Sequence, residues 1–134
     1  MEIHISIIGI LMILLSVIHV GFPQYFKWKV ELNHLSLINR QMFLIHTLFL
    51  AVILLLMGLL CVICSHDIIN TKLGNYLALG FAIFWGLRLI MQFFGYSSTL
   101  WRGKKFETGI HVLFSILWIY FTFTFSYIYW LGYY

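Results

Sequence analysis

The chain has 134 residues, 63% of them hydrophobic and 9% charged, with a formal net charge of +4. A soluble domain of this length could not cover so much apolar surface, so the bilayer is the expected solvent. All the positively charged side chains but Arg88 fall in short loops between apolar runs, which argues against a nucleic-acid partner.

Four stretches, residues 5–22, 42–64, 76–96 and 109–131, can each cross a hydrocarbon core of about 30 Å at about 1.5 Å per residue. With no water to bond their backbones, they are expected to be helices. The expectation is therefore an all-α integral membrane protein, a single four-transmembrane-helix bundle over residues 1–134.

The first stretch reads as a retained helix, because Glu2 is its only early charge and no small-x-small site follows Phe22. Pro23, the chain's single proline, is expected to close it. Residues 23–41 mix Phe26, Trp28, Leu32, Leu35 and Ile38 with Lys27, Lys29, Glu31 and Arg40, a composition suited to the membrane interface. Residues 65–75 read as a short turn, and residues 97–108 as a basic loop.

Charge sets the expected orientation. Lys27, Lys29 and Arg40 precede the second stretch, and Arg102, Lys104 and Lys105 precede the fourth, whereas the other side carries only Lys72. The positive-inside bias places the basic loops in the cytoplasm and both termini outside, as in a bacterial inner membrane. Tyr127, Tyr129, Trp130, Tyr133 and Tyr134 then form an outer aromatic belt, with Trp28 and Trp101 at the inner interface. The basic loops would meet anionic lipid headgroups.

Arg88 stands out. It lies within an apolar stretch that only Arg88 and Gln92 interrupt, where a guanidinium costs about 3 kcal/mol on insertion scales. By helical rise, His19 and His111 lie about 5 Å inside the inner boundary, His46 and Gln92 about 9 Å, and Arg88 about 12 Å. Arg88 and Gln92 share a face with Phe81 and Trp85. The Arg88 side chain is expected to lean toward its helix N-terminus, hence toward the midplane. No helix supplies a carboxylate to its middle, so an anionic partner from outside the chain is expected. The expected site comprises Arg88, Gln92, His46, His111, His19, Trp85 and Phe81.

Other patterns read as packing. His111, Ser115, Trp118, Thr122 and Ser126 form a polar stripe on the fourth stretch, and Ser6, Gly9, Ser16 and His19 form one on the first. Ala78, Ala82 and Gly86 make a small-residue seam, which places the third helix centrally. Residues 18–22, 45–49 and 110–114 share Ile-His-(Val/Thr)-x-Phe, too short a pattern to establish duplication. Cys61 and Cys64 have redox-motif spacing but lack its context, so buried apolar residues are the simpler reading. His4, His66 and Asp67 read as surface residues that could gather a metal.

Three functional readings follow. The first is a pocket for an amphipathic ligand such as a lipid, isoprenoid phosphate or quinone. The second is electron transfer through haem b, with His46 and His111 as axial ligands, His19 able to replace either, and Arg88 meeting a propionate. The third is an accessory subunit of a homo-oligomer or larger membrane complex. No motif names a reaction.

Overall fold

A computed structural model describes residues 1–95 and 103–132. Tyr96, Trp101, Arg102, Tyr133 and Tyr134, assigned above to helix end, loop and interfaces, lie outside the described residues. The described residues form helices only: α1 (Glu2–Tyr25), α2 (Trp28–Glu31), a 3-10 turn (Leu32–His34), α3 (Leu37–Ile63), α4 (Ser65–Asn70), α5 (Lys72–Phe94) and α6 (Lys105–Leu131). Four of them, α1, α3, α5 and α6, are long and apolar enough to span a membrane. The chain divides into two compact units, Glu2–Ser65 and the segment from His66 onward, each built around one antiparallel helical hairpin.

In the first hairpin α1 packs on α3. The backbones approach closely where Gly9 meets Gly58: a Cβ at Gly9 would lie 2.7 Å from the Gly58 carbonyl oxygen, and one at Gly58 would lie 2.6 Å from that of Gly9. Two turns along, Ser16 Oγ donates to the Ala51 carbonyl at 2.6 Å. Without a hydrophobic drive in lipid, such contacts and cross-helix hydrogen bonds hold helices together. Both residues belong to the polar stripe read from α1. This small-residue contact is additional to the Ala78, Ala82 and Gly86 seam expected on the third stretch.

Pro23 does not close α1. It lies inside the helix, which continues to Tyr25. A proline near a helix end removes one backbone hydrogen bond, and the Phe26 amide still reaches the Phe22 carbonyl at 2.9 Å. The chain turns instead at Lys27, whose φ of 54° makes it the only non-glycine with positive φ among the described residues. A side chain in that region costs about 1–2 kcal/mol. The segment then forms α2 and the 3-10 turn, and Ser36 caps α3 by accepting from the Asn39 amide at 3.4 Å. Trp28 ties this corner together, its ring 4.7 Å from Phe43 and 6.4 Å from Phe22.

In the second unit the expected 65–75 turn is mostly helical. Thr71 caps α5, its hydroxyl accepting from the Gly74 amide at 2.9 Å and donating to the Asp67 carbonyl at 2.7 Å. Antiparallel packing of α5 on α6 follows from Asn75 Nδ2 donating to the Tyr129 carbonyl at one end and Gln92 meeting His111 at the other. Aromatic rings fill the space between. Phe81 meets Phe125 at 5.1 Å, and Trp85 stacks on Trp118 at 5.0 Å with 12° between planes.

Candidate functional site

The second hairpin joins the polar side chains of two of the four long apolar helices. Arg88 and Gln92 lie one turn apart on α5, and helical spacing directs both toward α6. Arg88 Nη1 donates to Gln92 Oε1 at 3.2 Å, and Trp118 Nε1 donates to the same oxygen at 3.3 Å. With Oε1 receiving two N–H groups, the amide nitrogen is the donor of the third contact, to His111 Nδ1 at 2.8 Å. Ser115 Oγ donates to the His111 carbonyl at 2.7 Å, fixing the first turn of the polar stripe. Gln92, Ser115 and Trp118 are buried.

Arg88 donates to the side chain of a residue one turn nearer the C-terminus of α5, and its Cζ lies 5.1 Å from the centroid of the Trp118 ring. A guanidinium over an indole face gains cation–π attraction, strengthened where water is scarce. An amide oxygen and an aromatic face are thus among the partners of the charge.

Trp118 is the residue that sequence reading assigned to packing and left out of the site. It touches Arg88, Gln92, Trp85 and, at 5.6 Å, Phe114. The signal was present, since Trp118 lies seven residues beyond His111 on the same face of α6. Thr122, one turn further, lies 3.6 Å from a Cβ placed on Gly86. Among the described residues, Trp85 Nε1 and Thr122 Oγ1 are buried without a hydrogen-bond partner. Trp85 is only 2% exposed, and a buried N–H lacking an acceptor is unfavourable by about 1–3 kcal/mol.

Of the expected site residues, the structure brings Arg88, Gln92, His111 and Trp85 into this cluster, with Phe81 further along the same interface on Phe125. His19 and His46 belong to the first hairpin, where each ring closes on its own helix. His19 Nδ1 is 2.8 Å from the Leu15 carbonyl, and His46 Nδ1 is 2.7 Å from that of Met42. Each is therefore the Nδ1–H tautomer. His46 is exposed and His19 half-buried.

Cys61 and Cys64 are free, and buried Cys61 packs at the Gly9 contact. Among the described residues no three His, Cys, Asp or Glu side chains are grouped to hold a metal ion. Comparison with protein-family models, curated proteins and solved structures finds no match to this chain.

Proposed function

We propose that this is a multi-pass protein of a bacterial inner membrane, with both termini outside and its basic loops in the cytoplasm. In the cytoplasmic half, the Arg88–Gln92–His111–Trp118 cluster binds an amphipathic ligand through an oxygen acceptor. The ligand is of the isoprenoid-phosphate, anionic-lipid or quinone type. The observation that carries this reading is the Trp85 indole N–H, buried without an acceptor among the described residues and stacked beside the ring that supports the guanidinium. A ligand oxygen would complete it. Phe81 and the tryptophans supply an apolar wall of the kind such ligands require.

The iron reading requires a different state of His111. When Nδ1 accepts from Gln92, the neutral ring carries its proton on Nε2, leaving that nitrogen no lone pair for iron.

Gently purified protein, examined by native mass spectrometry, lipid extraction and absorption spectroscopy, tests the proposal. Wild type and Lys72→Ala are expected to retain the same copurified lipid or quinone, and Arg88→Ala to lose it. Equal retention in Arg88→Ala and Lys72→Ala would overturn the proposal. A Soret band abolished by His111→Ala would replace it with haem binding.

A further inference from the structure

The first hairpin contains a cavity of about 660 Å³ where the end of α1, α2, the 3-10 turn and the start of α3 converge. Three cations, Lys27, Lys29 and Arg40, line it. None of them forms an ion pair or side-chain hydrogen bond with the described residues. Glu31 is the only acid between residues 23 and 44. Cations lining one cavity with no acid among its lining residues favour binding of an anion.

The remaining lining says what kind of anion. Trp28, Leu32 and Leu44 form apolar wall, while Gln24 and Asn33 supply polar groups. A free phosphate would gain nothing from the apolar part. An anionic headgroup whose glycerol and upper acyl carbons enter with it would use both. Position supports the same occupant: the cavity lies between Tyr25, where one membrane-length helix ends, and the first turns of the next. Tryptophan and basic side chains are favoured at that depth.

Lys27 provides an independent observation. It alone among the described non-glycine residues adopts positive φ, in a conformation that glycine would take without strain. That conformation turns the chain out of α1 at the cavity edge and places a cation where a glycine would place none. Strained backbone of this kind concentrates at functional positions.

We propose that this cavity is a binding site for the headgroup of an anionic phospholipid, with Lys27, Lys29 and Arg40 contacting its phosphate. The site requires the hairpin to sit in a bilayer but requires nothing of the Arg88 cluster.

Full-length protein in neutral detergent is titrated with phosphatidylglycerol or phosphatidylcholine, and bound lipid is read by native mass spectrometry. Phosphatidylglycerol is expected to bind the wild type preferentially. Lys27→Gly, Lys29→Gln and Arg40→Gln should each weaken it about fivefold, the effect of one cation near an anionic surface. Lys72→Gln should leave it unchanged, and in an Arg88→Ala background, which removes the ligand site on α5, the three cavity variants should weaken it by the same factor. Because Lys27→Gly relieves the strained backbone, its melting temperature should not fall, and loss of lipid then reports binding rather than folding. Equal binding of the two lipids, retention in all three cavity variants, or displacement by millimolar inorganic phosphate as effective as by short-chain phosphatidylglycerol would each overturn the proposal.

Discussion

Gln92 Nε2 donates to His111 Nδ1 across 2.8 Å, joining α5 to α6 through an amide whose oxygen already accepts from Arg88 and Trp118. Each end of the amide can satisfy only one kind of partner, so the two donors on Oε1 set the tautomer of a ring on the neighbouring helix. Networks of this sort are favourable when every member is bonded and unfavourable when one is missing.

Replacing Gln92 tests that coupling. Gln92→Leu leaves the Trp118 N–H and Arg88 short of an acceptor and should destabilise the protein by about 1–3 kcal/mol. Gln92→Glu has nearly the same shape and offers Arg88 a carboxylate, while His111 can switch to Nδ1–H and donate to it. The expected outcome is melting at or above the wild-type temperature for Gln92→Glu and clearly below it for Gln92→Leu. Nitrogen NMR of labelled His111 should show the proton moving from Nε2 to Nδ1 in Gln92→Glu. An unchanged tautomer would show that the amide does not set it.

Four helices were legible because lipid imposes a length and an apolarity that a 134-residue chain displays openly. Their ends were less so. Pro23 lies within α1, and what ends the helix is Lys27 in a conformation no lysine advertises. For the site, helical rise put His111, Gln92 and Arg88 at expected depths of about 5, 9 and 12 Å, and the structure links the three by hydrogen bonds. Rotation was harder: the polar stripe on α6 gave its facing direction, yet Trp118 resembled any apolar packing residue until its N–H met Gln92. Gly9 and Gly58 stand 49 positions apart in the sequence, and only the packed hairpin makes them a pair.

The two stacked tryptophans should respond differently to the same substitution. Trp118→Phe deletes an N–H that donates to Gln92 Oε1, so a loss of about 1 kcal/mol is expected. Trp85→Phe deletes an N–H with no acceptor among the described residues, which removes a desolvation penalty while keeping an aromatic ring against Trp118. Its melting temperature should therefore match or slightly exceed that of wild type. If the Trp85 N–H serves a ligand oxygen, the same variant should retain less copurified ligand. Stability preserved with ligand lost is the combination to look for, and ligand retained at the wild-type level would remove Trp85 from the site.

Gly9 and Gly58 make the most direct statement about packing. A methyl group on Gly9 would lie 2.7 Å from a backbone oxygen, which no side-chain rotation can relieve, so Gly9→Ala must move α1 away from α3. Overpacking of this kind costs about 1–3 kcal/mol. Gly80→Ala is the control: nothing lies within 4 Å of a Cβ there, and alanine's greater helix propensity should leave stability unchanged or raised. Cys61 provides the readout, because its Cβ lies 3.0 Å from the Cβ position of Gly9 and its side chain is buried. Separation of the helices should expose it, so a maleimide should label Cys61 faster in Gly9→Ala than in wild type, with Gly80→Ala unchanged. Gly58→Ala should act in the same way. The double variant should cost less than the sum of the two, since the first substitution already opens the contact that the second would strain. Full additivity would mean that the glycines sit in separate contacts, contrary to the packing of this hairpin.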